Sequence, residues 1–238
     1  MTNILVCHSR KGGVGKSTIA YELAYVLDAP LIDLEHDGGS VTRKWGYRPE
    51  DRSRSLLLDA IANGRTPRPL KGFNKAKLVP GHPDLYDSQP SEEQMAQALL
   101  QWADDWKTDW IVVDTHPGAT PHGHGALSVA NVVIAPTPLR TSDLDATEQL
   151  VNEMSDYPVV IVPTFVPVFP PKAEIERLRS IIDGTPVQVG PLVPHALAVG
   201  TRKKRMAITS EDPPAKALQP VADAMVAIAD FVKEYTND

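Results

Sequence analysis

The sequence predicts one α/β domain, an open, mostly parallel twisted sheet with helices on both faces. Two observations lead there. Residues 110–113, 132–135 and 159–162 are continuous apolar, β-branched runs separated by helical stretches. Strands without a polar alternate are buried on both faces, which calls for helices on each side of a parallel sheet. The second observation is the opening, where the apolar run 3–7 leads through a glycine cluster into a helical stretch.

The elements follow in order. Ile19, Leu23, Val26 and Leu27 predict a helix over 17–27, and a second apolar strand occupies 30–34 after a short turn. Residues 43–90 are rich in Pro and Arg and poor in periodicity, with one helix expected around 55–62. Ser91, followed by Glu92 and Glu93, starts a helix carrying Met95, Leu99, Trp102 and Trp106. The i, i+4 spacing of the two tryptophans reads as core packing. A last amphipathic helix is expected over about 216–234. No repeat or linker divides the chain, so residues 1–238 read as a single domain.

Composition narrows the function classes. Hydrophobic residues make up 42% and charged residues 23%, a globular balance. No apolar run reaches the roughly 18 residues that a membrane helix needs. The first apolar run is broken by Arg10 and Lys11, too early for a secretory signal. The single cysteine, Cys7, allows no internal disulfide and reads as a small buried hydrophobe, so a reducing, cytoplasmic setting is expected. The net charge is −6, yet residues 43–77 hold ten Lys or Arg against three Asp or Glu. A second basic knot is Arg202-Lys203-Lys204-Arg205. Such asymmetry points to a polyanion-facing surface on an otherwise acidic protein.

Three segments carry chemistry. Gly12-Gly13-Val14-Gly15-Lys16-Ser17-Thr18 lies between strand and helix, where glycines let backbone N–H groups curl around phosphate oxygens. There Lys16 would meet the β- and γ-phosphates and the Ser17 hydroxyl would ligate Mg²⁺. Asp33 and Glu35 close the second strand; at i and i+2 both carboxylates would face one side and reach metal or water. Asp114 ends the apolar run 110–113 and is followed by Thr115-His116-Pro117-Gly118, the pattern of a Mg²⁺-holding aspartate and a phosphate-sensing switch. His116, His122 and His124 fit no closed zinc set.

The stretch from Arg10 to Thr18, with Arg10 at the usual first glycine and Lys11 before the glycine pair, closely resembles the deviant Walker A loop of the ParA/MinD family of P-loop ATPases. The resemblance covers most of the chain and is specific in its three nucleotide motifs. It implies that Lys11 reaches across a homodimer interface to the partner's nucleotide, as an arginine finger does. It also implies that Glu35 orients the attacking water while Asp33 lies near the metal, with ATP and Mg²⁺ as ligands. The second motif, usually Asp-x-Asp-Pro-Gln, here carries Glu35, His36 and Asp37; the switch carries His116 at a usual proline. The asparagine that relatives offer to the purine is missing, so base contacts are expected from Thr164 and Pro194, and the absence of Asn-Lys-x-Asp favours ATP over GTP.

There is no room before Ile4 for a helix-turn-helix domain, which favours the small ParA type. Relatives of that type bind double-stranded DNA nonspecifically as ATP dimers on the nucleoid, partition plasmids or other cargo, and answer to a ParB-like partner. Arg202, Lys203, Lys204 and Arg205 are the first candidates for the DNA surface, with Arg43 and Lys44 behind them. A MinD-like membrane role is disfavoured by the acidic residues of the last helix. A conjugative-transfer accessory ATPase and a small-molecule synthetase remain alternatives. A four-thiolate iron–sulfur cluster at a dimer axis is excluded by one cysteine per chain.

Overall fold

The computed structural model describes residues 2–36 and 41–237. Strands and helices alternate in chain order: β1 (Asn3–Cys7), α1 (Lys16–Val26), β2 (Pro30–Asp33), α2 (Val41–Trp45), α3 (Leu56–Ala62), β3 (Lys77–Val79) and α4 (Glu92–Trp106) form the first part. Then come β4 (Trp110–Asp114), α5 (Pro121–Ser128), β5 (Val132–Pro138), α6 (Thr141–Glu153), β6 (Val159–Thr164), α7 (Lys172–Ile182), β7 (Gln188–Val189), α8 (Leu197–Thr201) and α9 (Gln219–Tyr235).

The strands form one sheet in the order β3-β2-β4-β1-β5-β6-β7, every neighbouring pair parallel. Alternate residues of each strand feed two cores. Leu5, Leu31, Val112, Ile134 and Val160 face α1 and α9, where Ile19, Leu23, Met225 and Ile228 cover them. Ile4, Ile32, Ile111, Val133 and Ile161 face the other helices, through Leu99, Trp102, Leu127, Leu144 and Leu178. This double burial is why the strands carry no polar alternate. Cys7 is fully buried between them, and burial pushes its thiol well up.

Ser91 caps α4 reciprocally with Gln94. Trp102 is buried and donates its indole N–H to the Arg65 carbonyl at 3.0 Å, while Trp106 donates to Pro67 at 3.0 Å. The tryptophans therefore also pin the irregular segment after α3. Within the segment that looked poor in signal lies β3, and β7 is a two-residue edge strand. Neither presents enough residues to show a period.

The crossover direction reverses at β1, which pairs with β4 on one side and β5 on the other. Cys7 and Asp33 both stand in register with Asp114 at the carboxyl ends of their strands. In open parallel sheets this is where ligands bind.

Candidate nucleotide site

The loop leaving β1 turns into α1 through Gly13 (φ 78°) and Gly15 (φ 100°), left-handed positions that cost other residues strain. A side chain at Gly15 would also press on Phe165 and Thr164, at 3.6 and 3.8 Å. The loop forms one wall of a cavity of about 800 Å³ at the carboxyl edge of the sheet.

Lys16, the first residue of α1, is 4% exposed. Its ammonium donates to Glu35 Oε1 at 2.7 Å, to Asp114 Oδ1 at 2.8 Å and to the Thr115 carbonyl. Burial alone would lower its pKa, but the Asp114 and Glu35 carboxylates outweigh burial and raise it. Asp114 is fully buried, and its other oxygen, Oδ2, has no partner among the described residues. A buried carboxylate oxygen left over in this way suits a hydrated Mg²⁺ ion, and Ser17 lines the same cavity.

Asp33 requires a correction. Residues i and i+2 share a side only while the chain stays extended, and β2 ends at Asp33. Glu35, beyond the strand, turns to Lys16 and lines the cavity. Asp33 is fully buried and accepts from the Thr42 hydroxyl at 2.6 Å, the Thr42 amide at 2.9 Å and the Glu35 amide at 3.0 Å. Burial, aided by the Asp114 charge, pushes its pKa up. Its oxygens fasten the Glu35 loop to α2 and do not line the cavity, which withdraws Asp33 from the metal set. The packing there is close: a Cβ on Gly81 would stand 2.4 Å from the Glu35 carbonyl oxygen. Asp37, at the glutamine position of the second motif, lies outside the described residues.

The two histidines that depart from the family motifs meet each other. His36 and His116 stack with ring centroids 4.3 Å apart, and Tyr86 packs against the edge of His36. The stack joins the Glu35 loop to the switch after Asp114. Gly118 closes that switch by donating to the Ser9 carbonyl at 3.0 Å. His8 sits beneath, 2.9 Å from the Thr115 hydroxyl, and His122 lies 3.3 Å from the Leu34 carbonyl.

Burial, ahead of the nearby Lys16 charge, lowers His8 to about pKa 4, and burial lowers His122 to about 4. Between pH 6.5 and 4 the unfolded chain then binds protons that the folded chain does not. Stability is full above the unfolded value and drains as pH falls. The expected slope is about 1.4 kcal/mol per pH unit for each histidine. Urea midpoints from pH 7.5 down to pH 5 check this, and His8→Gln should flatten the slope.

Lys11 is 40% exposed at its side chain and donates to the Ser142 carbonyl at 2.6 Å and to Asp143 at 3.2 Å. Arg10 pairs with Glu153 on the same helix, α6.

On the base side the expected contacts shift by one residue. Thr164 is 2% exposed and gives its hydroxyl to the Val14 carbonyl at 2.9 Å, so it braces the phosphate loop from below. Pro194 is bridged to Val166. The cavity is lined instead by Phe165 and His195. The search for an asparagine hid them, because an aromatic after an apolar strand looks like ordinary core.

The basic knot also divides. Arg202 is 10% exposed at its side chain and bonds Glu211 at 2.9 Å and the Lys204 carbonyl at 3.0 Å, a brace and not a free cation. Lys204 pairs with the same Glu211 at 2.8 Å. Lys203 and Arg205 stay exposed. Arg205 packs on Gly46, and Ala207 donates to the Asn74 carbonyl at 2.9 Å, so the two basic segments meet on one rim of the cavity. Lys44 on that rim donates to the Thr18 hydroxyl at 2.9 Å.

Residues 1–162 match the ParA family model, described as NUBPL iron-transfer P-loop NTPase. The chain belongs to the ParA family. The chromosome-partitioning ATPase Soj of Thermus thermophilus is 32% identical over 133 residues, 54% of this chain and 51% of that protein. The chain thus spans about half the length of that curated relative. Among solved structures, the McdA–ATP complex from Cyanothece superposes with a TM-score of 0.74 at 18% identity, covering 99% of this chain and 96% of that one. MinD of Pyrococcus horikoshii with Mg-ADP gives 0.74 at 18% identity, over 98% and 97%. These likenesses establish the fold, a P-loop NTPase sheet of the ParA kind.

Proposed function

We propose that this ParA-family chain is a Mg²⁺-dependent ATP hydrolase that forms an ATP-bridged homodimer, binds duplex DNA without sequence preference and positions a cargo with a ParB-like partner. The observation that carries the reading is the convergence of Lys16, Glu35 and Asp114 at the glycine loop.

Incoming triphosphate competes with the carboxylates for the Lys16 ammonium. As Lys16 passes to the β- and γ-phosphates, Glu35 is released from its ion pair and can accept a hydrogen bond from the attacking water. Asp114 and Ser17 would hold Mg²⁺, which supplies charge neutralisation on the polyphosphate. Lys11 has a partner on its own chain, so its proposed passage to a second subunit is an exchange of Asp143 for a phosphate. The Lys11→Ala variant is expected to bind ATP as a monomer yet fail to dimerise with a nonhydrolysable analogue, read by light scattering. Equal dimerisation of the two proteins would remove the cross-subunit role.

Lys203, Arg205, Arg43 and Lys44 provide the phosphate-facing rim, with Arg202 and Lys204 tied to Glu211. Contacts of this kind depend steeply on salt. The deciding experiment is retention of duplex DNA with and without Mg·ATP, beside anionic liposomes. Retention of DNA only with ATP, weakened evenly across sequences by Lys203→Ala with Arg205→Ala, supports the reading. Retention on liposomes alone would replace it with a membrane role. The helix expected to serve such a role, α9, already buries Met225, Ile228 and Val232 in the core.

A further inference from the structure

Phe165 is the first residue past β6, and its backbone is left-handed, with φ 52°. A bulky residue without a short polar side chain seldom adopts that conformation, and holding it costs about 1–3 kcal/mol. The strain turns the ring into the cavity wall, where its tip lies 3.6 Å from the place a Gly15 side chain would occupy. His195 stands almost perpendicular to it, ring centroids 6.2 Å apart at 87°. The His195 amide donates to the Val166 carbonyl at 2.9 Å, and Val166 in turn donates to Val193 at 3.1 Å, so both ring-bearing loops are fixed to each other. Beyond His195 the cavity continues along Ala196, Leu197, Val199 and Gly200, none of which has a side-chain hydrogen-bonding group.

We infer that Phe165, with its plane set by His195, is the nucleobase platform of this site, and that it selects for a flat ring without reading which base it is. The ligand class is then the nucleoside triphosphates as a group. The inference rests on the glycine loop being the polyphosphate cradle. A site that hydrogen-bonds the substrate's edge rejects analogues strongly, whereas an apolar face does not. Every base has a π-face, so stacking is tolerant of base identity.

The test uses the whole chain and Mg²⁺, with affinities for ATP, GTP, CTP and inorganic tripolyphosphate measured by calorimetry. The three nucleotides are expected to bind within about tenfold of one another. Phe165→Ala should weaken all three alike, by roughly 5- to 150-fold, the range set by aromatic–base stacking, and leave tripolyphosphate unchanged. Phe165→Trp should restore nucleotide affinity. Phe165→Asn, which suits a left-handed backbone, should raise the melting temperature while lowering nucleotide affinity, a split that a purely structural ring would not give. ATP bound more than about a hundredfold tighter than both GTP and CTP, or no loss in Phe165→Ala, overturns the inference while leaving the cradle intact. Failure of wild type to bind even tripolyphosphate would overturn the cradle and this inference together.

Discussion

Replacing Lys16 with alanine is expected to abolish Mg·ATP binding and to destabilise the fold at the same time. The ammonium is the only side-chain donor that the structure gives to both Glu35 and the buried Asp114. Removing one partner of a desolvated charge pair typically costs about 2–5 kcal/mol in binding, or roughly 100-fold in affinity. The same removal leaves two carboxylates facing each other without a counter-ion, which costs about 3 kcal/mol of stability near neutral pH. That second cost should shrink as pH falls and the carboxylates take up protons. Calorimetric titration with Mg·ATP, together with urea midpoints at pH 8 and pH 5.5, separates the two effects. Retained heat of ATP binding in the variant would contradict the assignment of Lys16.

The Glu35→Gln variant should have the opposite pattern. Glutamine keeps the shape but cannot accept as a carboxylate, so turnover is expected to fall about 10²- to 10⁴-fold, the usual worth of a positioned base. ATP affinity should hold or tighten, because a neutral amide competes less well with phosphate for Lys16. Phosphate release and equilibrium binding, measured in parallel, check both halves. Turnover within threefold of wild type would move the water-orienting role elsewhere.

Much of this arrangement is legible in the sequence because a few residue types have few physical uses. Glycines in series before a lysine, between a strand and a helix, announce left-handed turns and close backbone approach. The β-branched runs of β4, β5 and β6 announce burial on both faces. What escapes notice is set by contacts between distant segments. Nothing near Arg202 in the sequence says that Glu211 will claim it, and nothing near Asp33 says that Thr42 will. The short edges β3 and β7 hold three and two residues, too few to show a pattern. Phe165 is invisible for another reason: its role depends on one backbone angle, and a propensity reading has no access to it.

The closeness of Gly81 to the Glu35 backbone has an implication for how this protein tolerates change. With 2.4 Å between a hypothetical methyl group and a carbonyl oxygen, even the smallest side chain must push the acid-bearing loop away from the phosphate loop. A residue with no chemistry of its own, far downstream in the chain, thereby acts as a spacer for the reactive centre. Substitutions there should behave like lesions of Glu35 itself.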